Sequence, residues 1–167
     1  SSDEEEAASD PATQPESEST STESEVVEEV VENEDELDPA RQVLIEQMAV
    51  QNYEPDQWTQ EYCSSHIGFC IPIHRNWWFK SFGATSSSLW HVETSLREIE
   101  SLWDGVIRID LRAGGVGGKK ASDGQVRVEG SNVVGYKEWS ENRHFEVSAD
   151  ASLEAAVRYI VDNFSSP

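Results

Sequence analysis

Two cysteines lie seven residues apart in a stretch that alternates like a pair of strands. A tight turn centred between His66 and Ile67 places Cys63 opposite Cys70, at the close approach that a disulfide needs. Two free thiols in the core are one alternative. A zinc site that adds His66 and His74 is another, but in a flat hairpin one histidine lies at the turn and the other past the far end. We predict a disulfide, which is typical of an oxidising compartment, and no metal.

His144 and Glu146 are the pair best suited to proton transfer. They are two residues apart in a predicted strand, so both side chains point to the same face. No nucleophile is tied to them by sequence, and a surface pair is the favoured interpretation. His91, between Trp90 and Val92, is equally uninformative. We therefore predict no catalytic residue.

Aromatic side chains offer a different kind of site. Trp77 and Trp78 are neighbours in a predicted strand, so they point to opposite faces and both are buried only if helices cover both faces. Core packing is the favoured interpretation. An exposed Trp78 beside Trp139 would instead form a stacking platform for a sugar, a peptide or an aromatic ligand. With His144 and Glu146, these two tryptophans make up the candidate binding surface.

A glycine-rich stretch that ends in two lysines resembles a phosphate-binding loop only superficially. Ala113 stands where the first glycine of the Walker A pattern belongs, and no Ser or Thr follows Lys119. A strand rather than a helix is predicted to come next. We interpret the stretch as a hairpin loop whose tip contacts a partner without a cofactor. The candidate contact residues are Gly115, Gly117, Lys119 and Lys120.

Acidic residues are concentrated at the N-terminus. Residues 1–38 contain sixteen Asp and Glu and no Lys or Arg, so they carry −16 of the −21 formal net charge. Such a segment cannot offset its chain entropy by burying apolar surface. All six tryptophans lie in the remaining 129 residues. We predict a disordered acidic tether over residues 1–38 and a single domain over residues 39–167.

The charge balance also excludes a class of partner. Binding to DNA or RNA requires clustered Lys and Arg, and this chain has 12 basic against 33 acidic residues. No apolar run approaches the length of a transmembrane helix. We expect a monomer that binds a protein or a small ligand.

Periodicity predicts the elements that position these residues. Asp38 followed by Pro39 is typical of a helix start and predicts a helix over residues 39–51. Asp150 is a typical N-cap residue and predicts a second helix over residues 151–164. Residues 95–102 fit a short helix or an ordered turn. Alternating patterns predict a hairpin over residues 62–73 and strands over residues 77–82, 89–94, 105–112, 125–129, 132–139 and 144–148. An antiparallel sheet with terminal helices is an α+β fold.

Two stretches resemble PsbP-like domains. Residues 62–77, YCSSHIGFCIPIHRNW, are similar to the opening hairpin of that family, although His74 stands where the family has proline and Pro72 lies upstream. Residues 134–160, from VGY through HFEV to AAVRYI, are similar to its closing strands and helix. The resemblance implies an α/β/α sandwich, and secreted bacterial lipoproteins with a polar spacer often carry such domains.

The start of the chain leaves two origins open. Because it begins with Ser1 rather than Met, it is either a processed lipoprotein, cut behind a lipid-bearing cysteine, or a piece of a longer acidic protein. The first origin agrees with the predicted disulfide and with the resemblance.

Three functions follow in order of preference. The first is a non-catalytic binding or scaffold domain outside the cytoplasm, at the cell-envelope surface, held by an acidic tether and tethered to the membrane through a lipid before Ser1. The second is an intracellular adaptor whose tail binds a basic protein, or whose domain binds a small GTPase as PsbP-related nuclear factors do; free thiols would favour it. The third is an enzyme, which would need a deep pocket joining His91, His144 and a carboxylate.

Overall fold

The computed structural model describes residues 38–167. The tether predicted over residues 1–38 lies outside the described residues except for Asp38. One compact unit spans Val43–Pro167 and contains all the strands found in the described residues.

Both predicted helices are confirmed, with shorter bounds. Helix α1 spans Pro39–Ala49, and the carboxylate of Asp38 accepts the N–H of Ala40 at 3.0 Å, as expected for an N-cap. Helix α2 spans Glu154–Asp162 and follows a 3₁₀ turn over Ala151–Leu153, which Asp150 caps. A further 3₁₀ turn spans Pro55–Gln57.

The strands form two antiparallel sheets. The first is a hairpin of β1 (Gln60–Ser64) and β2 (Phe69–Ile73). The second has six strands in the order β3-β4-β5-β8-β7-β6. Its strands are β3 (Trp78–Gly83), β4 (Trp90–Ser95), β5 (Ile107–Ala113), β6 (Val126–Glu129), β7 (Asn132–Trp139) and β8 (Arg143–Asp150). Between β4 and β5 the chain makes turns and no helix. The described residues therefore form an α+β fold with antiparallel sheets and two helices.

The hairpin is closed by the predicted disulfide. Cys63 and Cys70 are directly opposite each other in the β1–β2 register, with an S–S distance of 2.04 Å. The alternatives of free thiols and a zinc site are wrong, because the sulfurs are bonded to each other. The backbone of Cys70 also pairs with Ser165, which attaches the C-terminal segment to β2.

Alternation in β5 separates an apolar face of the large sheet from a polar one. Ile107, Ile109 and Leu111 are at most 1% exposed and belong to the apolar core. Both helices contribute to this core. The core residues from α1, from the 3₁₀ turn before α2 and from α2 are Leu44, Met48, Leu153, Ala156, Val157, Ile160 and Val161. The intervening residues of β5 point to the other face.

Helix α2 packs closely on β7 at Gly135. A Cβ atom built on Gly135 would overlap Cγ2 of Val161 and lie 3.2 Å from Cγ1 of Val157. Valine side chains have few alternative rotamers, so the helix itself would have to move. The glycine is required here by the close approach of helix and strand.

No helix in the described part of the chain is long and apolar enough to cross a membrane.

We expect Gly135→Ala to destabilise the domain by about 1–3 kcal/mol, because it overpacks the contact between β7 and α2. Urea unfolding followed by tryptophan fluorescence measures the change. Gly117→Ala is the matched control, because a Cβ on Gly117 meets no atom within 4 Å. Equal unfolding free energies for the two variants would contradict the close packing.

Candidate functional site

Six charged or polar side chains form a row across strands β4, β5 and β8, on the face opposite the core. We call this row the polar ladder; it consists of His91, Glu93, Asp110, Arg112, His144 and Glu146. The strand register creates it. His91 pairs with Asp110, Asp110 pairs with Glu146, and Arg112 pairs with His144. Side chains opposite each other in an antiparallel sheet lie on one face and within contact distance.

His91 lies between two carboxylates at the buried end of the ladder. Its Nδ1 is 2.6 Å from Oδ1 of Asp110, and its Nε2 is 2.6 Å from Oε2 of Glu93. His91 and Glu93 are fully buried, and Asp110 is 5% exposed. An ionised carboxylate only accepts hydrogen bonds, so both ring nitrogens donate and the imidazole is a cation.

The surroundings of His91 favour its charged form. Burial lowers the pKa of His91, but the hydrogen bonds and negative charges of Asp110 and Glu93 outweigh it, so the pKa lies above its ordinary value. Burial likewise raises the pKa of Asp110, yet the hydrogen bond and charge of His91, with the charge of Arg112, bring it below its ordinary value. Both pKa shifts therefore indicate that His91 and Asp110 are charged and form an ion pair.

A loop closes over Glu93 and fixes the position of its carboxylate. The backbone N–H groups of Trp103 and Gly105 donate to it at 2.8 and 2.6 Å. Trp103 adopts a φ of 76°, which is costly for a bulky side chain. Its ring also packs edge-on against His91 at 4.9 Å between centroids. These contacts compensate for the unfavourable backbone conformation and cover the imidazole.

A second histidine–carboxylate pair lies at the other end of the ladder. Nδ1 of His144 donates to the carbonyl of Gly114 at 2.8 Å, and Nε2 is 2.9 Å from Oε2 of Glu146. Burial raises the pKa of Glu146, but the hydrogen bond from His144 and the charges of Lys119 and Arg112 lower it below its ordinary value. Glu146 is therefore ionised.

Arg112 connects the two pairs. Its Nη2 is 3.7 Å from Oδ2 of Asp110, and its Nε is 3.4 Å from Oε1 of Glu146. The ladder is thus one continuous series of opposite charges. Wherever two of these strands are paired, a cation of the ladder lies next to an anion. Their attraction offsets part of the free-energy cost of burying the charges.

The predicted contact loop folds onto this second pair. Residues Val116–Lys119 form a 3₁₀ turn, and Nζ of Lys119 lies 3.5 Å from Glu146. The N–H of Val116 donates to Glu138 at 2.9 Å, and Gly115 lies so close that a Cβ there would be 2.8 Å from the Glu138 carboxylate. The loop is therefore held by side chains of β7 and β8.

The remaining contact residues are Gly117, within the 3₁₀ turn, and Lys120, which follows it. Gly117 and Lys120 are exposed, and Lys120 has a φ of 56°. The carbonyl of Lys120 accepts a hydrogen bond from Arg127. Two candidate sites that were separate in the sequence, the loop and the His144–Glu146 pair, thus lie together.

The predicted binding surface does not form one patch. Trp78 is 51% exposed, as a stacking platform requires. Trp139 instead packs against Phe145 and Phe164 on the core face, with centroid distances of 5.3 and 5.9 Å. His144 lies on the opposite face of the sheet. Trp78 and Trp139 are also four strands apart, on β3 and β7.

The histidines of the alternative zinc site are also separated. His74 is 1% exposed, and its ring nitrogens contact the carbonyl of Asn52 and the N–H of Asn76. His66 is exposed at the turn and lies against Trp90. Glu61 approaches the two sulfurs, but a disulfide offers no thiolate ligand.

The ladder has little capacity for acid–base catalysis. Both ring nitrogens of His91 and of His144 are bound to protein groups, and both residues are at most 1% exposed. The buried hydroxyl of Ser88 interacts with Asp110 and with Thr85 rather than with a histidine. A base must contact the proton that it removes from a substrate. The arrangement holds charge in place instead.

Sequence reasoning missed the strongest part of the ladder. Alternation places Asp110 on the polar face of its strand, but it assigns no role to His91, Glu93 or Asp110. The alternation of His91 and Glu93 in one strand was a usable signal, because it places both on one face. What was missing is the register that puts Asp110 opposite His91.

No protein-family model matches the chain, and no curated protein shows significant similarity to it. The resemblance to PsbP-like domains stays a prediction.

We expect the unfolding free energy to decrease as pH rises above about 6.5, the pKa of histidine in an unfolded chain. The folded pKa of His91 is raised, so its contribution is complete below that value and is lost as pH rises through the folded pKa. The slope is at most about 1.4 kcal/mol per pH unit. The lowered pKa of Asp110 gives a second loss, as pH falls below about 3.9 and through its folded pKa.

Urea unfolding at pH 5.5, 7.0 and 8.5, together with an NMR titration of the histidine rings, measures this dependence. His66→Gln is the control for the substitution itself, since His66 is exposed and lies outside the polar ladder. His91→Gln should remove most of the decrease in unfolding free energy above pH 6.5. It should also destabilise the domain at pH 5.5 by about 3–5 kcal/mol, because two buried carboxylates lose their cation. A His91 ring that titrates below 6.5 would contradict the ion pair.

Proposed function

We propose that this chain is a non-catalytic binding or scaffold domain that works outside the cytoplasm, at the cell-envelope surface, at the end of an acidic tether. The observation that carries the proposal is the disulfide between Cys63 and Cys70. Structural disulfides persist in oxidising compartments and are rare in the cytosol.

The polar ladder supports the non-catalytic part of the proposal. A catalytic histidine needs a ring nitrogen that reaches the substrate. In His91 and His144 each nitrogen already contacts a carboxylate or a carbonyl of the protein. Lys119 also forms an ion pair with Glu146 and so lies over the pair of His144 and Glu146. The ladder therefore acts as an internal support for the sheet.

Exposed apolar side chains support a role in binding. Trp78 is 51% exposed and Phe79 is 37% exposed, both on strand β3. Exposed aromatic residues are enriched where proteins contact ligands or partners. The ligand class is a protein or a small molecule, in keeping with the acidic charge of −21, which disfavours nucleic acid.

The tether and the family resemblance complete the proposal. Residues 1–38 would keep the domain away from a charged surface by self-repulsion, as a charged spacer does. Attachment to the membrane through a lipid before Ser1 and a PsbP-like α/β/α arrangement stay predictions. The alternative of an intracellular adaptor would be favoured by two reduced cysteines, so the disulfide weighs against it.

Intact mass spectrometry of the protein isolated from its native cells tests this function. Envelope and cytoplasmic fractions are alkylated before and after reduction. We expect the protein in the envelope fraction, with no alkylation until a reductant opens the disulfide. Protein recovered from the cytoplasm with two alkylated cysteines would overturn the proposal and favour the adaptor.

The paired variant Cys63→Ser/Cys70→Ser should be less stable than the oxidised wild type by about 2–3 kcal/mol, because the disulfide restricts the unfolded chain. Urea unfolding with and without a dithiol reductant measures this. Reductant should lower the stability of the wild type to about that of the variant and leave the variant unchanged. A variant as stable as the oxidised wild type would show that the hairpin does not need its cross-link.

A further inference from the structure

The two cysteines of the disulfide differ in their access to solvent. Cys63 is exposed, whereas Cys70 is only 2% exposed. The strand arrangement explains the difference. Among the described strands β1 pairs with β2 alone, so Cys63 lies at the outer side of the hairpin. Cys70 lies on β2, between Cys63 on one side and the backbone of Ser165 on the other. A reagent in solution therefore reaches the sulfur of Cys63 far more readily than that of Cys70.

The backbone around Cys70 is held by contacts that do not involve the sulfurs. The N–H of Cys70 donates to the carbonyl of Ser165 at 2.7 Å, and the N–H of Ser165 donates to the carbonyl of Cys70 at 3.1 Å. Strands β1 and β2 are also paired at five register positions. Cleavage of the S–S bond would therefore leave Cys70 in place, opposite Cys63.

The charge next to the bond is negative. Glu61 lies two residues before Cys63 in β1, so both side chains are on one face of the hairpin. A carboxylate oxygen of Glu61 and the two sulfurs all lie within 4.8 Å of one another. Glu61 is exposed, and the residue opposite it, Pro72, carries no charge. A negatively charged thiol that approaches the disulfide is therefore repelled, and a positively charged one is attracted.

We infer that Cys63 is the sulfur at which an external thiol attacks this disulfide, and that the preferred reagent is a thiol that carries positive charge next to its sulfur. The rate of thiol–disulfide exchange depends on access and on which sulfur is attacked. Exposure selects Cys63, and the carboxylate of Glu61 selects the charge of the reagent. The net charge of −21 acts in the same direction at low ionic strength.

The exchange conserves atoms and electrons. The incoming thiolate forms a bond to Sγ of Cys63, the bond between Cys63 and Cys70 breaks, and its electron pair leaves on Sγ of Cys70, which then takes a proton from water. With a dithiol reagent, the second thiolate attacks the reagent's own sulfur in the mixed disulfide and releases Cys63. The dithiol is then oxidised and the protein reduced by two electrons. In the reverse direction, Cys70 closes the bridge by attacking a mixed disulfide on Cys63.

Mapping of the mixed disulfide in the wild-type protein tests the site of attack. The oxidised protein is exposed briefly to cysteamine, quenched with acid, digested with pepsin at low pH and analysed by tandem mass spectrometry. The cysteamine adduct should be at least about tenfold more abundant on Cys63 than on Cys70, because access limits the exchange. The same protein in concentrated urea is the matched control and should carry comparable adducts on both residues. Equal adducts in the folded protein would overturn the inference.

Single substitutions test access without relying on a short-lived species. Cys70→Ser leaves the thiol of Cys63, and Cys63→Ser leaves that of Cys70. Far-ultraviolet circular dichroism verifies that both variants are folded under the conditions of the experiment. The first variant should react with iodoacetamide at least about tenfold faster than the second. Equal rates in the folded variants would contradict the difference in access.

Glu61→Gln tests the selection by charge. The rate of disulfide opening is measured at low salt with mercaptoethanesulfonate, which is negative, and with cysteamine, which is positive, each at equal thiolate concentration. Glu61→Gln should raise the ratio of the first rate to the second by about three- to fivefold. Glu98→Gln is the matched control, since it removes one exposed carboxylate from the segment between β4 and β5, and it should change the ratio less than about twofold. An unchanged ratio in Glu61→Gln would overturn the charge preference.

These experiments use purified protein and do not depend on the compartment. Reduced cysteines in protein from the cytoplasm would overturn the proposed function and leave this inference in place. Equal attack on Cys63 and Cys70 would overturn the inference and leave the proposed function in place.

Discussion

The fold depends on a buried cation between two buried carboxylates. His91 joins Glu93 of its own strand to Asp110 of the next strand, with 2.6 Å on each side and almost no exposure to water. An imidazolium without these partners would lose its proton, and either carboxylate alone would be strongly destabilised by burial. The three groups are therefore mutually dependent. Their geometry fixes the register between β4 and β5 and the path of the loop that carries Trp103.

This interaction explains how one sheet has two different faces. On one face β7 and β8 pack against α2, and the close approach at Gly135 shows how little space remains there. On the other face, the alternating charges of the polar ladder bond to each other across the strands. Arg112 extends the series from Asp110 to Glu146. A face made in this way is stabilised by its own hydrogen bonds and does not require a packed helix.

Much of the architecture could be predicted from local patterns, and the site could not. Alternation located the strands of residues 38–167, Asp38 marked the start of α1 and Asp150 the 3₁₀ turn that leads into α2, and the spacing of Cys63 and Cys70 indicated their bond. These signals are local in sequence. The contact of His91 with Asp110 joins residues that are 19 positions apart, and it depends on a loop whose length sets the register. Likewise, the sequence does not show that Trp139 and His144 lie on opposite faces of the sheet. Residues of different strands can be assigned to a face only when the side that packs on the core is known.

The same physics determines where recognition can occur. The ladder uses the hydrogen-bonding groups of its histidines internally, and a ligand that reached them would have to replace charge-assisted bonds in a buried position. Recognition is less costly at the edge of the sheet, where backbone groups of β3 are unpaired and Trp78 and Phe79 already contact water. The edge strand β3 is positioned by the neighbouring strand to which it is hydrogen-bonded. β4, which carries both His91 and Glu93, is that neighbour.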